Sequence, residues 1–259
     1  MKTVRCMLLA LCLVAASATG CGPAAPGTLY QYSTIGALLE GAYDGELTCA
    51  RLLRHGDFGL GTFNGLDGEM IVVDRKVYKV GTDGKAVGVR DNERTPFAMV
   101  TTFKPNMIFV IDHNKPQLTL EKLVAQKVPD SNLPQAIRLD GEFNYVKVRS
   151  VPKQKSKPYP RLADVVKKQA VFELRGVRGT IAGFCTPAYM SGISVPGCHF
   201  HFITEDRSRG GHVLACRPGN VVLKIQEIYR MRLDLPQTDD FLSAQLGGDR
   251  PGELQTVEK

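Results

Sequence analysis

Three of the five histidines of this 259-residue chain stand between positions 199 and 212, inside the stretch 197–213 that reads GCHFHFITEDRSRGGHV. Alternate side chains of a β-strand share a face, so His199 and His201 project to one side while Phe200 and Phe202 enter the core behind them. The polar run 204–211 ends in Arg209, Gly210 and Gly211 and predicts a hairpin loop that returns His212 on the neighbouring strand. Three imidazoles then converge on one cation. Zinc accepts three nitrogen ligands and keeps a fourth position open for water or substrate, which separates a catalytic site from a closed structural one. A single HxH pair is ordinarily a surface or core feature; a third histidine at this spacing is what points to a metal.

Other polar groups stand where a plain sheet protein has no need of them. The segment GTFNGLDGE puts Thr62 at the end of one strand and Glu69 at the start of the next, across a Gly-rich turn. The segment IRLDGEFNYVKVRS puts Arg138, Lys147 and Arg149 on strands, with Lys147 and Arg149 on one face. Each has a plain alternative as an exposed acid or a solvated basic face. Glu205, in the hairpin loop, would complete the HxHxxxE pattern of the cupins, or is a solvated loop acid. By residue type, a metal beside an acid and a guanidinium suits a small anionic carbonyl substrate.

The elements that must position these groups read as sheet. Runs at 58–63, 69–73, 76–80 and 98–103 are apolar or alternating and are separated by Gly, Asp and Asn turns. Short helices are expected at 35–43, 49–54, 118–127 and 162–169, and further strands at 138–143, 145–151, 170–177 and 180–184. Past the histidines, Val221, Leu223 and Ile225 alternate, and the phase slips at Glu227 and Ile228 before resuming, as one bulged strand or two would do. A last helix is expected at 239–246 with Thr238 as its cap. The run VPKQKSKPYPR at 151–161 carries three prolines and four basic residues, so it is neither central strand nor helix interior. The expectation is a β-rich α+β chain (α/β in the broad sense) of two domains, 29–155 and 156–259, each a mixed or antiparallel sheet with short helices, with the metal site between them.

Residues 1–20 pair Lys2 and Arg5 with an apolar run and small residues before Cys21, which reads as an export signal too short to span a membrane. The small residues before Cys21 also fit a lipid-attachment site at that cysteine, followed by a flexible leader over 21–28; the alternative is free secretion. Either way the expected working compartment is outside the cytoplasm, periplasmic or at the cell surface, with a membrane-anchored lipoprotein as one form. Loss of Lys2 and Arg5 lowers the formal net charge from +7 to +5. No basic block is interleaved with aromatics, so nucleic acid is not expected as a partner. Cys49, Cys185, Cys198 and Cys216 remain beyond Cys21, and exported thiols can pair, with Cys198 and Cys216 flanking the hairpin.

The blocks LGTFNGLDGEMIVVD, IRLDGEFNYVKVRSVPKQ and GCHFHFITEDRSRGGHV, in this order and separation, resemble the bacterial acetolactate decarboxylases, and the likeness runs from Leu29 to the end of the chain. The resemblance implies a zinc enzyme that converts (S)-2-acetolactate, a 2-hydroxy-3-oxo acid, to (R)-acetoin and carbon dioxide. It implies a metal held by His199, His201 and His212, with Glu69, Arg149 and a glutamate near the C terminus completing the site and Thr62 at another pocket position. Glu258 is the expected tail acid, and Glu253 competes for that place. The resemblance also implies a homodimer paired through the first sheet. In such chemistry the metal takes up the charge left by departing carbon dioxide, Arg149 orients the carboxylate, and Glu69 or Glu258 returns a proton to one face. Two rivals stand beside it. A cupin-type metalloenzyme would bind its metal through Glu205 as well, and a zinc-sequestering surface lipoprotein would give Thr62, Glu69 and Arg149 no reason to converge.

Overall fold

Short runs rich in β-branched and aromatic residues, cut by Gly, Asp and Asn, fold as strands throughout this chain. The computed structural model describes residues 27–112, 119–128, 132–247, 252, 254 and 257. The strands in order are β1 (Thr28–Tyr32), β2 (Leu47–Thr48), β3 (Phe58–Thr62), β4 (Glu69–Val73), β5 (Lys76–Val80), β6 (Ala86–Gly88), β7 (Arg94–Thr95) and β8 (Ala98–Thr101). They continue with β9 (Met107–Ile111), β10 (Gln135–Ser150), β11 (Ala170–Thr186), β12 (Gly197–Thr204), β13 (Gly210–Glu227) and β14 (Arg230–Asp234). The α-helices are α1 (Ile35–Leu39), α2 (Cys49–Leu52), α3 (Leu120–Lys127), α4 (Leu162–Val165) and α5 (Asp239–Ser243). Thr34, Thr48, Thr119 and the expected Thr238 cap α1, α2, α3 and α5, each hydroxyl accepting from the backbone N–H three residues on. Among the described residues no helix is long and apolar enough to cross a membrane.

Two sheets carry the fold. The first has seven strands in the order β14-β1-β8-β3-β4-β5-β6, antiparallel except for β1 with β14. The second runs β10-β11-β12-β13-β9 and closes on itself through pairing of β10 with β13. Period-two alternation sorts the side chains: Ile71 and Val73 of β4 face the second sheet, and Met70 and Val72 pack on the far side with Tyr30 and Leu52. Phe200 and Phe202 enter the closed sheet with Leu139, Phe143 and Leu223, which turns His199 and His201 outward toward the first sheet.

The structure redraws the expected division of the chain. The stretch 151–161 joins β10 to β11, adjacent antiparallel strands of one sheet, so the boundary placed at 155/156 does not separate the sheets. The chain passes to the second sheet earlier, between β8 and β9, and returns to the first with β14. One buried cluster takes residues from both sheets, from Leu29 and Ile71 to Phe184 and Ile203. The polar interruptions expected to end strands near 144 and 178 are bends inside β10 and β11. Gly141 has φ 144°, and the β10–β13 register shifts there and beyond Phe143, so bulges absorb the break while the ladder continues. The slip at Glu227 and Ile228 separates β13 from β14, two strands in different sheets.

Candidate active site

The hairpin β12–β13 does what the histidine spacing required. His201 pairs with His212 across the ladder, and His199 stands one alternation up the same face of β12. His199 Nε2 lies 3.2 Å from His201 Nε2 and 3.0 Å from His212 Nδ1. Two nitrogens of a tetrahedral zinc site with bonds of about 2.0–2.1 Å stand about 3.3 Å apart, so the spacing fits such an ion. His201 Nδ1 is 2.7 Å from the Met70 carbonyl oxygen of β4. A carbonyl can only accept, so that nitrogen carries the proton and Nε2 turns a bare lone pair to the cluster. His201 and His212 are each 1 % exposed, and His199 is part-exposed as a residue with its ring buried. Burial, and after it Arg149, pushes the His199 imidazole down to about 3; burial and then His199 hold His201 well below its usual range. Neutral imidazoles are what a metal needs. Among the described residues these three are the one group of His, Cys, Asp or Glu close enough to share an ion.

An acid and a guanidinium close the space above them. Thr62 and Glu69 face each other across the β3–β4 hairpin, and the Thr62 hydroxyl donates to the Gly68 carbonyl at 2.7 Å. Arg149 is the β10 partner of His212, delivered after a bulge at Leu214 re-aims the end of the strand. Its Nη1 donates to Glu69 Oε1 at 3.0 Å, with both residues 5 % exposed, and its Nη2 donates to the Val257 carbonyl at 3.1 Å. Glu69 Oε2 lies 3.5 Å from His201 Nε2. The cavity between them is about 30 Å³, room for a water or two. Ile35 and Leu38 of α1, Leu162 of α4, Phe97 and Val257 wall it. His199 and His212 also line a groove of about 910 Å³ beside α3, so the imidazoles form a partition between cavity and groove.

Other candidates lie elsewhere. Glu205 points to solvent, its side chain 66 % exposed, and accepts from Arg178 Nε at 3.0 Å, so a four-ligand cupin set is not assembled. Arg138 is bound by Asp74 and Asp140, away from the histidines. Glu253, Glu258 and Cys21 lie outside the described residues. Sequence reasoning missed the apolar walls: 35–43 and 162–169 were expected as helices, and only tertiary packing shows that Ile35, Leu38 and Leu162 face the cavity. The bridged cysteines are Cys185 and Cys198, with Cys216 and Cys49 buried and unbridged.

A metal store needs ligands alone; a paired acid and guanidinium enclosed with the ligands define an enzyme centre. A family model for alpha-acetolactate decarboxylase matches residues 29–248. An alpha-acetolactate decarboxylase of Methanosarcina mazei is 48 % identical over 237 residues, 91 % of this chain and 81 % of that protein. The crystal structure of alpha-acetolactate decarboxylase from Bacillus subtilis strain 168 superposes with a TM-score of 0.85 at 42 % identity, covering 89 % of this chain and 99 % of that one. A Staphylococcus aureus protein described as similar to alpha-acetolactate decarboxylase gives 0.82 at 32 % identity, over 89 % of this chain and 98 % of its own. The chain belongs to the alpha-acetolactate decarboxylase family.

Proposed function

We propose that this chain decarboxylates (S)-2-acetolactate to (R)-acetoin with zinc held by His199, His201 and His212. The observation that carries the proposal is the meeting of Glu69 from one sheet and Arg149 from the other above the imidazole cluster. Bound there, zinc would supply a Lewis acid for the oxygens on which negative charge gathers as carbon dioxide leaves. Arg149 Nε is a buried donor with no partner in the described structure, which leaves it to receive the substrate carboxylate while Nη1 and Nη2 are held. One proton must return to one face of the carbon that lost the carboxylate, and this gives a single enantiomer. Glu69 stands beside the cluster for that task, and Glu258 is the second candidate. The apolar walls keep bulk water from the electron-rich product.

The test gives purified protein racemic 2-acetolactate and follows acetoin and its chirality, with and without a chelator. Chelation and His199→Ala are each expected to abolish turnover, and Glu205→Ala to leave most of it. A Glu205→Ala protein that keeps its metal and loses activity would revive the cupin reading. The proposal extends to export on the 1–20 leader, acylation at Cys21 and a homodimer. Mass spectrometry of the mature protein and sedimentation are the measurements for these.

A further inference from the structure

A metal ligand near the end of a strand is only as well ordered as the rungs that hold the strand, because ladder ends open first. The β12–β13 ladder comprises His201 with His212, Phe202 with Gly211 and Ile203 with Gly210. His199 lies past its last rung, where the strand pairing of β12 is with β11, through Phe184 opposite His199. That second ladder ends at Thr186 with Gly197, beyond which a single bridge pairs Thr186 with Pro196 and the Thr186 hydroxyl donates to the Val195 carbonyl. One rung from His199, Cys185 and Cys198 stand opposite each other and are joined by a disulfide. The other ligands sit deeper: His201 has the Met70 carbonyl, and His212 is flanked by Arg149 on one side and His201 on the other. By alternation the two sulfurs lie on the face away from the imidazoles, so they act on the site through the backbone.

We infer that the Cys185–Cys198 disulfide is a positioning element of the metal site. It locks the last rungs of the β11–β12 ladder and keeps His199 within reach of His201 and His212, so ion retention depends on the oxidation state of these two thiols. The inference rests on the reading of the three histidines as the metal site. Cobalt(II) serves as the probe, read by its visible absorption and by the rate at which a chelator removes it. The cobalt-loaded protein is compared oxidised, after reduction, and as the Cys185→Ser/Cys198→Ser double variant. The reductant is a water-soluble phosphine, which ends as its oxide with oxygen from water and leaves two thiols.

Reduction and the double substitution are each expected to speed cobalt loss by about 10- to 100-fold and to change the absorption of the bound ion. Reoxidation by a small-molecule disulfide, itself reduced to two thiols, restores the native chain, and the reductant leaves the double variant unmoved. Reduction of the native chain carries the test if the variant fails to fold. A lowered melting temperature with absorption and release rate unchanged would make the bridge a staple of the fold alone and overturn the inference. Cobalt that fails to bind the oxidised protein, or binds equally well in His199→Ala, sinks the metal reading and the inference with it.

Discussion

Glu69 and Arg149 are each 5 % exposed, and their charges meet at 3.0 Å, so removing either takes a buried counter-charge from the other. Glu69→Gln keeps the shape and removes the group that holds charge against Arg149 and can exchange a proton. It is expected to lower kcat by about 10²- to 10⁴-fold, the range for a missing acid catalyst, and to cost about 3 kcal/mol of stability in denaturant titration. Arg149→Lys keeps the charge without the planar fork; kcat is expected to fall about 10²- to 10³-fold. A variant with full activity would remove that residue from the chemistry. At this scale the histidines were legible because strand spacing alone puts two of them on one face. The pairing of His212 with Arg149 was harder to place: between Val213 and Ala215 the partner strand β13 carries a bulge at Leu214, and a bulge leaves no mark in a pattern of period two.

The turn between β3 and β4 shows how an element holds a side chain in register. Gly68 has φ 83°, and a Cβ there would collide with the Val80 carbonyl oxygen. The same residue offers its carbonyl to the Thr62 hydroxyl. Gly68→Ala is therefore expected to cost about 1–3 kcal/mol and to lower turnover as well, since the turn sets both Thr62 and Glu69. Equal melting curves for the variant and the native chain would refute this. Strands β3, β4 and β5 were readable from their apolar runs and turn residues. Lengths were not: β10 and β11 looked like two strands each, because Gly and Asn end a strand in isolation but only bend one whose ladder with a neighbour continues past them. β1 and β9 were missed, being five-residue strands whose partners lie far along the sequence.

For the whole molecule, burial of the imidazoles ties stability to pH. In the metal-free protein His199 titrates near 3 and His201 well below its ordinary range, whereas in the unfolded chain both protonate near 6.5. The His199 contribution is complete above about pH 6.5 and is lost as pH falls toward 3, at about 1 kcal/mol per pH unit, and His201 acts in the same direction. Melting of the chelated protein at pH 7 and pH 5 is expected to show this loss; identical midpoints would contradict it. An ion held by the three imidazoles would be braced against the other sheet in the same place, since His201 leans on the Met70 carbonyl. Zinc at a hundredfold excess over its dissociation constant would add about 3 kcal/mol, so a chelator is expected to lower the melting temperature by several degrees. Sheet content was legible from the sequence; the division into units was not, because a Pro-rich connection looks the same whether it joins two domains or two neighbouring strands.

The same connection invites a cut. β10 lies between β11 and β13 along its length, and β1 waits for β14 to complete its sheet. Peptides 29–155 and 156–259 would each expose the edges that the other covers, and would precipitate if made singly. Made in one cell, they have every reason to find each other and reassemble as a split protein with the chain nicked at its proline-rich crossing.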